Sequence, residues 1–230
     1  MVISGIPHVH GLAWLPPEVV KEYQDENGDF DDEKVPGLID KFITVSTDTG
    51  DPELDDLVKS RNHHRHTKSC MKKGNTCRFG IPRFPSECTL VAKPLPADMP
   101  EEERKSKIEK YQNILKAVKT ALMELDEDNL DDLTLDDLLA GLSITKDEYY
   151  EALKVSEKGK MVIHKRRMSE IYINNYNEVF MRAWQANMDL QFCLDQYSVV
   201  TYVTDYMSKV KFYNLLVKLL KKHQIIFVLG

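Results

Sequence analysis

Between Glu101 and Val155 the apolar residues recur at helical spacing, and strand-like segments flank this stretch on both sides. No other feature limits the possible folds as strongly. Positions 108, 111, 114, 115, 118, 121, 122 and 125 share one face of a helix predicted over Glu101 to Leu125. Two further helices are predicted, Thr134 to Leu142 and Thr145 to about Val155. The last opens on a Thr-x-x-Glu capping box, in which hydroxyl and carboxylate satisfy each other's orphan backbone N–H groups. Upstream, residues 8–14 are short, apolar and bounded by Pro7 and Pro16–Pro17, and "CTLVAKPL" has a similar composition. Downstream, "KMVIHKRRMSEIYINNYN" and "DLQFCL" return to strand composition. The order predicts an α+β fold: an antiparallel sheet flanked by helices, with an acidic helical lobe inserted at 98–156.

The remaining segments fit that scheme. Residues 24–37 are polar, contain Gly and Pro, and read as a surface loop, while Leu38 to Thr47 fits helix or strand. Asp51 is a natural N-cap, with Pro52 at the first helical position and acid in the first turn, so a helix should run to about Lys59. Helices are also predicted over Glu178 to Asn187 and Tyr197 to about Leu220.

The net charge of -6 conceals a segregation. From Leu57 to Ser86 there is no Asp or Glu, yet Lys59, Arg61, Arg65, Lys68, Lys72, Lys73, Arg78 and Arg83 are present. His164-Lys-Arg-Arg167 forms a second basic cluster, and Lys209, Lys211 and Lys218 a third. Acid collects at Glu101 to Glu103 and from Glu124 to Leu139. A basic surface opposite an acidic lobe suits a polyanionic partner despite the overall sign. At 230 residues the chain can bury a core without disulfide staples. No apolar run approaches the length of a bilayer span and no signal-peptide pattern is present, so the expectation is an intracellular protein with no membrane partner. The 4 cysteines then read as free thiols or metal ligands. The Walker phosphate-loop pattern, the nucleophile elbow and H-E-x-x-H do not occur, which speaks against ATP hydrolysis by this chain.

Three groupings could carry chemistry. His8 and His10 stand two apart on a strand, so both imidazoles face one side, where they could share a divalent metal or serve as ordinary structural histidines. Tyr202 and Tyr206 lie one helical turn apart and could act as nucleophiles if a cation or polarised phosphate is near, or could simply pack against the sheet. Within the basic module at 57–86, His66, Cys70, Cys77 and either His64 or His63 supply two nitrogens and two thiolates, a set that could close a tetrahedral zinc site. The spacing is not that of a standard finger, and histidines beside arginines could equally meet DNA phosphate.

Taken in order, "GIPHVHGLAWL", "LIDKFITVS", "DPELDDLVKSRNHHRHTKSCMKKGNTCRFGIPRFPSECT", "SEIYINNYNEVFMRAWQANMDLQF" and "VVTYVTDYMSK" resemble the replication-initiator part of Helitron-type rolling-circle transposases, the "Helitron helicase-like" domain. The resemblance covers most of the chain apart from the acidic lobe and the tail at 211–230. It implies an HUH-nuclease-like sheet, a nuclear or intracellular setting and a single-stranded DNA endonuclease and strand transferase. His8 and His10 would hold Mg²⁺ or Mn²⁺ against the scissile phosphate, with Gln191 the candidate third ligand. Tyr202 or Tyr206 would attack the phosphorus, form a 5′-phosphotyrosine and release a 3′-hydroxyl, with Lys209 stabilising the charge. Arg65, Lys68, Lys72, Lys73 and Arg78 would grip the DNA backbone while Phe79 stacks a base. Family members have a further strand before the histidine motif and continue into a helicase, so the expectation is a truncated element at 1–230, with strands and tyrosine helix at 160–210 and the helicase supplied from outside. The rival expectations are a remnant that binds DNA without cutting it and a zinc-stabilised protein-interaction module.

Overall fold

The computed structural model describes residues 11–68, 70–71, 76–157, 159–194 and 225–229. His8, His10, Lys72, Lys73, Tyr202, Tyr206 and Lys209, with the helix expected from Tyr197, lie outside the described residues. Helices and short strands are mixed, and both sheets are antiparallel. β1 (Gly11–Trp14), β5 (Ile225–Leu229) and β4 (Leu190–Gln191) form one sheet in the order β1-β5-β4. Leu229 stands between Gly11 and Leu190, and Val228 between Leu12 and Gln191. β2 (Leu90–Ala92) and β3 (Met161–Ile163) make the second sheet, with Val91 opposite Val162. The tail strand β5 therefore occupies the centre of its sheet.

The helices start where the capping chemistry places them. α1 (Pro17–Val20) follows the proline pair, and α2 (Val35–Phe42) ends with the chain extended at Ile43. The stretch from Leu38 to Thr47 is thus helix and then extended chain, with Thr44 and Tyr176 exchanging backbone bonds of 2.8 and 2.9 Å. α3 (Pro52–Arg61) begins at Asp51, whose carboxylate accepts from the Glu53 and Leu54 N–H groups at 3.0 and 3.4 Å. α4 spans Glu101–Glu124, α5 Leu135–Gly141 and α6 Lys146–Leu153; Thr134–Asp137 and Thr145–Glu148 both form capping boxes. α7 (Glu178–Trp184) is shorter than expected because Gln185 turns left-handed at φ 51 and closes it.

Two apolar clusters form beneath these elements. The first gathers Val35, Leu38, Ile39, Ile43, Leu54, Val58, Tyr176 and Met181 under α2, α3 and α7. The expected surface loop at 24–37 is exposed or half-exposed along most of its length, but it contributes Phe30 and Val35 to this cluster, and Val35 already belongs to α2. The second cluster joins Val118, Leu122, Leu138, Leu139, Tyr149 and Leu153 of the acidic segment to Cys70, Cys77 and Ile81 of the basic module. The acidic helices pack as a wall over the basic module, sharing its core.

The segment after β3 corrects a further expectation. His164 and Arg166 are not surface cations but are buried, at 7% and 4% exposure. The backbone from Lys165 to Tyr176 forms a Met168–Glu170 turn and isolated pairings in place of a long ladder. Arg166 satisfies carbonyls that a neighbouring strand would otherwise take: its guanidinium donates to the Glu170 and Ile173 carbonyls and, at 3.0 Å, to Asn175 Oδ1. Arg167 pairs with buried Glu170 at 2.8 Å and with Asp48 at 3.3 Å.

Candidate metal centre

The basic module is built outward from the 166–176 segment. His63 pairs with Ile173, the His64 N–H donates to the Tyr172 carbonyl at 2.8 Å, and the Arg83 N–H donates to Ile171 at 2.8 Å. In extended chain, neighbouring side chains leave by opposite faces. His63 and His64 accordingly part company. His63 stacks on Tyr172, with centroids 5.7 Å apart, and its Nε2 stands 3.7 Å from Glu127. His64 turns towards the cysteines. That resolves the choice of fourth candidate ligand in favour of His64.

One ligand atom from each of His64, His66, Cys70 and Cys77 lies within 4.8 Å of all the others, close enough to hold a metal ion. Among the described residues this is the one such group of His, Cys, Asp and Glu. Cys70 Sγ is 3.7 Å from His66 Nδ1, and Cys77 Sγ is 3.5 Å from His64 Nε2. Tetrahedral zinc with bonds of about 2.3 Å to sulfur and about 2.05 Å to nitrogen would set each sulfur–nitrogen edge near about 3.6 Å, so the donor set fits. Cys70 and Cys77 are buried, while His64 is half-buried and His66 exposed.

The surroundings favour ligand protonation states. The Cys70 thiol is drawn down to about 7, chiefly by the Thr67 N–H donating to its sulfur at 3.1 Å, against burial, with His66 adding to the effect. Burial, then the His66, His63 and Arg83 charges, holds the His64 imidazole below its ordinary value and so in the neutral, metal-binding form. The Arg78 N–H donates to the Cys70 carbonyl at 2.9 Å, and the Gly80 N–H to that of Cys77 at 3.0 Å, closing the loop at both cysteines. Gly80 takes φ 69, a conformation that glycine adopts without strain.

The acidic helices fasten this loop. Lys119 of α4 donates to the carbonyls of Gly80, at 2.7 Å, and of Pro82. Tyr149 of α6 donates to the Pro85 carbonyl at 2.8 Å, and Glu127 faces His63. Sequence reading missed these tethers, although Lys119 stands one turn after Leu115 on the apolar stripe, where a cation is out of place unless it has buried work.

The other expected site residues fare differently. Arg65, Lys68 and Arg78 are exposed, and Arg78 lies 4.5 Å from the centroid of Phe79, itself 43% exposed. Gln191 is on β4, where its amide donates to Asp189 at 2.8 Å. Among the described residues no helix is long and apolar enough to cross a membrane. Comparison with protein families, curated proteins and solved structures finds no match for the chain.

Proposed function

We propose that the chain binds single-stranded DNA through a zinc-held basic module, and that this module serves the nicking and strand-transfer chemistry implied by its resemblance to Helitron-type transposases. The observation that carries the reading is the closure of His64, His66, Cys70 and Cys77 around one point beside exposed Arg65, Lys68, Arg78 and Phe79. All four zinc positions would be filled by protein, which makes the ion structural: it would fix the loop that presents the cations. Cations along an exposed loop hold a phosphate backbone, and an arginine-backed aromatic offers a face on which a base can stack.

The catalytic half of the reading assigns divalent metal binding to His8 and His10 and attack on the phosphorus to Tyr202 or Tyr206. β1, which follows His10, and β4, which carries Gln191, share one antiparallel sheet, with the tail strand β5 between them. Incubating the chain with single-stranded oligonucleotides and Mg²⁺ or Mn²⁺ should yield a covalent protein–DNA adduct, lost in the Tyr202→Phe/Tyr206→Phe double variant. An adduct that survives in that variant refutes the tyrosine assignment. Salt-sensitive binding without any adduct leaves the DNA-binding half and removes the nuclease.

A further inference from the structure

A cavity of about 520 Å³ lies directly behind the metal loop. It is framed by Gly80, Arg83 and Phe84 of the basic module, by α4 and the end of α6, and by β3 with the residues that follow it. Its volume falls in the range of small-molecule sites and far exceeds the needs of a single ion. The lining is of two kinds. Phe84, Leu115, Leu153 and Val162 supply apolar surface; Arg83, Arg166, His164, Asn175, Ser156 and Gln191 bring polar groups, and the carboxylate of exposed Glu157 accepts from the Gln112 amide at 2.7 Å.

Two of those polar groups have unspent capacity. His164 is 7% exposed and also borders a second cavity; its Nδ1 has no hydrogen-bond partner among the described residues and is closed off from solvent, so a ligand reaches it once the ring turns. A buried ring nitrogen without a partner is costly, and native proteins rarely carry one without a reason. Arg83 is about one-third exposed, and its one ion pair among the described residues, to Asp189, is long at 3.9 Å. Arg166 and Asn175 are by contrast committed to the frame, the first to carbonyls and to Asn175, the second to Arg166 and the Leu190 carbonyl.

A ligand that uses this lining must be partly apolar, carry a hydrogen-bonding edge and bear negative charge. An inorganic anion would leave the apolar wall idle, and a lipid chain would strand His164 and Arg83. We propose that the cavity receives one nucleotide of the bound single strand, with its base against Phe84 and the aliphatic wall, the base edge on His164 and the phosphate at Arg83. This inference rests on the single-stranded DNA reading above and adds a second base contact to that of Phe79. A free mononucleotide has the same chemistry, so both sources need testing.

The experiment uses the full zinc-loaded chain and four probes: a short mixed-sequence single strand, an abasic strand of equal length, dAMP and inorganic phosphate. Met161→Trp narrows the cavity from a position already 53% exposed, so folding is spared, and His164→Phe removes the unpartnered nitrogen. The mixed strand should bind roughly tenfold more tightly than the abasic one, as expected for loss of a base contact. Met161→Trp should remove most of that difference while leaving abasic binding unchanged, and the strand should shift the His164 imidazole resonances where phosphate does not. Equal response of the mixed strand to Met161→Trp and wild type, with His164 unmoved, overturns the cavity assignment and leaves backbone binding by the module intact. Binding of dAMP that shifts His164, without strand binding, would retain a nucleotide site and refute the single-stranded DNA reading.

Discussion

The two apolar clusters of this molecule close in different ways. Under α2 and α3 the packing is of hydrocarbon and aromatic side chains, with Val35, Leu38 and Ile39 fully buried. Under α4 to α6 the cluster includes the Cys70 and Cys77 thiols, whose sulfurs face imidazoles. A hydrocarbon cluster is stabilised by removal of apolar surface from water and needs no ligand. A cluster edged by two thiols and two imidazoles close enough to hold an ion would gain its last constraint from one. The first region should therefore stand by itself, and the second should be conditional on metal.

The sharpest way to break that contrast is to withdraw the metal. A strong chelator should abolish amide-exchange protection in the basic module and lower it across α4 to α6, with α2 and α3 nearly unaffected. Uniform loss across both regions would show that they are one cooperative unit. Next in size is the reverse substitution. Leu38→Ala should cost about 2–5 kcal/mol in denaturant unfolding, as buried leucines do, with bound metal per folded chain unchanged.

Acid provides a third probe, through His164. Burial, followed by the Arg166 and Arg83 charges, pushes its pKa down to about 3. The unfolded imidazole titrates near about 6.5, so the unfolded chain takes up the proton first. Stability should fall as pH drops from that value towards 3, and His164→Phe should flatten this part of a pH–stability profile. A profile unchanged by the substitution contradicts the buried, neutral assignment. The smallest effect belongs to Tyr149→Phe. It removes the hydroxyl's bond to the Pro85 carbonyl and should cost about 1 kcal/mol, measured by thermal unfolding, together with a modest weakening of metal affinity.

What could be read in the sequence was what local chemistry decides. Asp51 before Pro52, and Thr145 three residues before Glu148, located helix starts because a cap is satisfied within one turn. The apolar stripe gave α4 almost to its ends for the same reason. The metal group was half legible. His66, Cys70 and Cys77 followed from donor type and proximity, but His63 and His64 are equivalent neighbours until pairing with Tyr172 and Ile173 fixes which face each takes. Arg166 was misread because its partners are main-chain carbonyls, which leave no residue-type signature. The acidic segment looked like a lobe because its charges dominate the composition. Its packing role lies in Val118, Lys119, Leu122 and Tyr149, which face the basic module.

The central claim is that four named side chains hold one ion on which the basic module depends. Native mass spectrometry of the purified chain, with elemental analysis, tests it directly. The account predicts one zinc per chain, lost in Cys70→Ser/Cys77→Ser and retained in His63→Ala. A metal-free chain that stays folded and binds single-stranded DNA undiminished, or a zinc kept by the double cysteine variant, would contradict it.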